Sequence, residues 1–61
     1  MSRKVAEILC RRDGVTMEEA FKCIKDVLEM MEEVNYDPLE CEEIMATELG
    51  LEPDYIFDLL L

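Results

Sequence analysis

Histidine and tryptophan are absent from these 61 residues, glycine and proline occur twice each, and no basic residue follows Lys25. Each absence removes a class of function. Without histidine the chain lacks the side chain whose ordinary pKa lies closest to neutrality, and with it the commonest general base and metal ligand. No glycine-rich turn is present to cradle a phosphate. Cysteine is scarce too: Cys10, Cys23 and Cys41 form an odd set that cannot close into disulfides, and no two stand at CxxC spacing. A zinc site would need all three to converge from separate helices, with a carboxylate completing the tetrahedron. The acids do not alternate around a glycine as a calcium loop requires. Neither metal nor cofactor is expected, and the chain reads as non-enzymatic.

Long apolar runs are missing as well. Charges interrupt every hydrophobic stretch, so no membrane span or membrane partner is expected. The N-terminal segment alternates charge with apolar residues and does not resemble a secretory core, which together with free thiols suggests a cytoplasmic location.

What is present is acid, unevenly placed. The net charge is -10, yet all six basic residues (Arg3, Lys4, Arg11, Arg12, Lys22, Lys25) lie in the first 25 positions. From Asp26 onward there are twelve acids and no base. Such a field repels nucleic acid and anionic lipid and attracts basic protein surfaces. With 51% hydrophobic residues, the chain is nevertheless too apolar to stay disordered. Apolar burial for this length is worth about 90 kcal/mol, and ordering the chain costs almost as much. A partner or a second copy would add to that thin margin.

The pattern predicts an all-α fold over residues 1–61, a single small bundle of three main helices with a short fourth at the C-terminus. Met17, Ala20, Phe21, Ile24, Val27, Leu28, Met31 and Val34 recur at three-and-four spacing and line one face of a central helix. Thr16 and Glu19 form a capping box at its start. A first helix runs from about Arg3 to Arg12, capped by Ser2 and closed by Asp13-Gly14, and its short link to Thr16 makes the two helices pack together. The central helix is expected to end near Asn35, with Tyr36 packing back across the corner. Asp37-Pro38-Leu39-Glu40 opens a third helix, whose apolar side is assigned to Leu39, Cys41, Ile44, Met45 and Leu49, and Gly50 stops it. Pro53 opens the last helix, which is apolar nearly all round at Tyr55, Ile56, Phe57, Leu59, Leu60 and Leu61. It either plugs the bundle, with Ile56 and Leu59-Leu60 docking on the central helix, or leaves part of itself exposed as a contact surface.

Ile44 to Leu60 has the local spacing of a phage-repressor helix-turn-helix, but Pro53 to Leu61 carries two aspartates and no base to meet phosphate. The favoured function is therefore contact with an unidentified protein. The expected surface joins Tyr55, Phe57 and Leu61 to an acidic rim of Glu48, Glu52, Asp54 and Asp58. A homodimer is a further expectation, with the basic first helix pairing to the acidic half of a second copy. The alternative function is an acidic nucleic-acid mimic that occupies a DNA-binding protein.

Cys10-Arg11-Arg12-Asp13-Gly14-Val15-Thr16-Met17-Glu18-Glu19-Ala20 and Gly50-Leu51-Glu52-Pro53-Asp54-Tyr55-Ile56, followed by Asp58-Leu59-Leu60, resemble the two ends of short acidic helical proteins of unknown function from Gram-positive bacteria. Those proteins often occur among phage or mobile-element genes. The resemblance implies a bacterial, cytoplasmic origin and carries no activity with it.

Overall fold

Helix α1 spans Arg3–Asp13, and Arg11 and Arg12 in its last turn face the negative end of its dipole. The computed structural model describes residues 3–60, so the Ser2 cap and Leu61 lie outside the described residues. Gly14, at φ 69°, takes the left-handed cap, and its N–H donates to the Cys10 carbonyl at 2.9 Å. Helix α2, Met17–Glu33, starts on a complete capping box: the Thr16 hydroxyl accepts the Glu19 N–H at 3.1 Å while Glu19 accepts the Thr16 N–H at 3.4 Å. The two helices pack side by side. Val5, Ala6 and Leu9 of α1 and Ala20, Ile24, Val27 and Met31 of α2 are all buried.

Helix α3 spans Pro38–Ile44, with the Asp37 carboxylate accepting the Glu40 N–H at 3.1 Å. A regular helix to Leu49 was the expectation, and here the structure differs: Met45–Leu49 winds as a π turn. Cys41, Met45 and Leu49 are all buried. At 3.6 residues per turn, Leu49 would sit about 80° round the axis from Cys41. The wider turn keeps the three residues on one line. Thr47 assists by donating its hydroxyl to the Glu43 carbonyl at 2.9 Å, a bond that competes with the backbone ladder. Gly50, at φ 64°, ends the turn, and Leu51 folds back with its N–H on the Met45 carbonyl at 3.2 Å.

Three assignments are corrected. Leu39 is 77% exposed and not part of the apolar side of α3. It stands two positions before Cys41, and residues two apart never share a helix face. Tyr36 does not close the corner, since 48% of it remains exposed. The last helix does not dock through Ile56 and Leu59-Leu60 on α2. A 3-10 turn at Pro53–Tyr55 leads into α4, Ile56–Leu60, which packs chiefly on α1. Leu59 is buried there, Ile56 half-buried and Leu60 exposed. The fold is thus all-α, three longer helices with a short fourth. No helix among the described residues is long and apolar enough to cross a membrane.

Candidate functional groove between α3 and α4

The turn after α2 makes one wall. Asn35 and Tyr36 both adopt left-handed backbone, at φ 55° and 56°, and the Tyr36 N–H closes onto the Met31 carbonyl at 2.8 Å. Asparagine tolerates this conformation, whereas for tyrosine the clash of Cβ costs about 1–2 kcal/mol. That cost holds a ring at the surface and not in the core. Pro38 follows at the first position of α3, and Cys41 lies one turn further in. The opposite wall comes from Pro53 and from α4, where Ile56, Phe57 and Leu60 face across.

Between the walls lies an apolar groove of about 350 Å³. Phe57 stands beside it with 73% of its surface exposed, and Leu60 with 48%. Glu42 and Asp54 are the charged residues of its lining. Cys41 lies at its base, buried, and burial pushes its thiol up from the ordinary cysteine range, with Asp37 and Glu40 adding to the shift. A thiol so placed is a poor nucleophile at neutral pH.

The residues singled out from sequence separate into three places. Phe57 and Asp54 line the groove. Tyr55 and Asp58 turn towards α1: the Lys4 ammonium sits 5.9 Å from the Tyr55 ring centre and 3.5 Å from the Asp58 carboxylate. Glu48 and Glu52 are exposed, on the π turn and just before Pro53, and do not line the groove. Tyr36, Pro38 and Leu60 line the groove too, although the surface expected from sequence does not include them. The signal for Tyr36 was available in its position between Asn35 and Asp37, a turn where a bulky ring is out of place unless something uses it.

The basic end of the chain is partly turned inward. Arg12 grips the Asp13 carboxylate with two bonds of 2.8 Å and donates a third to the Gly50 carbonyl at 3.1 Å. The hydrogen bond from Arg12 holds the Asp13 carboxyl below the usual carboxylate range, opposed in part by desolvation and aided least by the Arg12 charge. Lys4 and Arg12 thereby tie α1 to the acidic half of the same chain. Comparison with protein-family models, curated proteins and solved structures finds no match. The groove must be read from its own chemistry. Among the described residues no group of three or more cysteine, aspartate or glutamate side chains is arranged to hold a metal ion.

Proposed function

We propose that this chain acts by holding another protein in the groove between α3 and α4, without chemistry of its own. The observation that carries this reading is the cluster of exposed large apolar side chains, Tyr36, Phe57 and Leu60, around one apolar hollow. A chain this short gains much by burying such residues. Among the described residues four large apolar side chains stay at least 48% exposed, and three of them line the same groove. Aromatic anchors beside a concave apolar surface are where binding energy concentrates in protein contacts. The strained backbone at Tyr36 supports the same reading, because strain at an exposed ring contributes nothing to folding. A nucleic-acid mimic rests on the charge split alone and has no use for an apolar hollow.

The test is site-specific photo-crosslinking. A photoreactive phenylalanine analogue replaces Phe57, and the same analogue replaces Glu29, which is exposed on α2 and outside the groove lining. A discrete product of the chain with another protein, formed at position 57 and not at 29, is the expected result. Equal labelling at both positions would remove the groove from consideration.

A further inference from the structure

We infer that the occupant of the groove is a basic segment of another protein, a short helical stretch with one or two large apolar anchors flanked by lysine or arginine. The inference rests on the groove being a protein-binding site and adds the chemistry of what binds. Its first support is charge. Both charged residues of the lining, Glu42 and Asp54, are acidic, and the exposed Glu40 and Glu43 add negative charge to α3 outside the lining. Among the described residues no basic side chain forms an ion pair with Glu42 or Asp54. No basic residue follows Lys25, and the α1 side chains that reach the acidic half do so at Asp58 and the Gly50 carbonyl, neither of which lines the groove. Opposite charge on the partner would speed encounter and fix its orientation, while the apolar hollow supplies the grip.

The second support is size. Helix α4 has five residues, so its wall is about 7.5 Å long at 1.5 Å per residue. That length takes side chains one helical turn apart, the i and i+4 anchors of a helix laid in a groove, and not a long interface. A second copy fits less well. Two grooves brought face to face would oppose like charges on chains that each carry -10. Nucleic acid and anionic lipid are opposed by the same field.

The probe is a synthetic amphipathic helix of leucine, tryptophan and lysine, set beside a counterpart with glutamate for every lysine. Binding is followed by amide chemical shifts of the labelled protein, with light scattering on the protein alone. The lysine peptide is expected to move the amides of Tyr36, Glu42, Phe57 and Leu60, and the glutamate peptide to leave them in place. Phe57→Ala, folded by circular dichroism, should weaken binding about tenfold. Glu42→Lys should weaken it several-fold more than Glu29→Lys, which changes the net charge equally but outside the groove. Equal effects of the two charge reversals, with none from Phe57→Ala, would overturn the inference and leave only general attraction to an acidic chain. Binding of both peptides alike, lost in Phe57→Ala, would overturn the charge assignment while the groove reading stands. Failure of the lysine peptide to move the groove amides would overturn it too, as would peptide-free association that shifts those amides. The crosslinking result judges the groove reading independently in each case.

Discussion

Phe57→Ala and Leu59→Ala, two substitutions on the same short helix, should differ sharply in cost. Leu59 is 3% exposed, wedged on the α1 side of α4, and truncating a buried leucine costs about 2–5 kcal/mol through lost transfer energy and the cavity left behind. Phe57 is 73% exposed, so only about a quarter of its surface is covered. A phenylalanine offers about 200 Å² in all. Covering a quarter of that, at about 25 cal/mol per Å², contributes roughly 1 kcal/mol. Alanine returns about half a kcal/mol through its better helix propensity. The net loss for Phe57→Ala should thus be about 0.5 kcal/mol.

Thermal unfolding followed by circular dichroism separates the two cases. For a chain of this size 1 kcal/mol moves Tm by about 4–8 °C. Phe57→Ala should therefore shift Tm by only a few degrees, whereas Leu59→Ala should lower it by roughly 10 °C or more, or prevent folding outright. A loss of about 2 kcal/mol or more for Phe57→Ala would refute the reasoning. The ring would then be core, and the groove it lines would not exist in solution.

The Arg12 strap makes a second contrast. Gly50→Ala and Gly14→Ala both put a side chain at positive φ and should each cost about 1–2 kcal/mol. At Gly50 the new Cβ would also meet Arg12 Nη1 at 3.2 Å, while Gly14 faces open space, so Gly50→Ala should lower the urea midpoint further, and the excess should vanish in an Arg12→Ala background. Thr16→Ala removes the hydroxyl that accepts the Glu19 N–H while the backbone N–H at position 16 can still donate to Glu19, and it should cost about 1 kcal/mol in the same assay. Because the folded-state pKa of Asp13 is depressed, its small stabilisation is present above the unfolded value of about 3.8 and fades as pH falls through the lower folded value. Its carboxyl resonance should titrate at lower pH in the native protein than in Arg12→Gln. Cys23, exposed, should react with a thiol reagent at neutral pH long before Cys41, whose burial raises its pKa. Comparable rates would place Cys41 outside the core.

Local chemistry made most of the fold legible. The Thr16–Glu19 box, the Asp37 cap with Pro38, and the left-handed glycines at 14 and 50 are decided by residues within one turn of each other. Errors arose where a neighbour in space decides. Leu39 is the exception, because helical periodicity already separates it from Cys41. The π turn depends on Leu49 meeting a core that α1 and α2 shape, and four-residue spacing suits both an ordinary helix and a wider one. The docking of α4 was assigned to the wrong partner because an all-round apolar segment has no face to read. For the candidate groove, Phe57 and Asp54 were visible as residues. Tyr36 stands out in the sequence only as a ring in a turn; its place opposite α4 follows from how two distant turns meet.

The weak tethering of α4 gives the groove a thermodynamic consequence. Among the described residues the helix is held by one buried leucine, by half-buried Tyr55 and Ile56, and by the Lys4 contacts with Tyr55 and Asp58. An exposed ion pair of that kind contributes at most about 1 kcal/mol, and salt screens it. Local opening of α4 therefore costs less than global unfolding, and opening destroys one wall of the groove. A ligand in the groove binds only the closed form, so it must raise the protection of α4 amides against hydrogen exchange by RT ln(1 + [L]/Kd), about 2.7 kcal/mol at a hundredfold excess over Kd. Amides of α2 that exchange only through global unfolding, as expected of buried Ile24 and Val27, gain the same increment, because that unfolding also destroys the groove. If α4 opens alone, its amides are less protected than those of α2 without ligand and stay so by the same margin with it, and the groove is built on the least stable element of the fold.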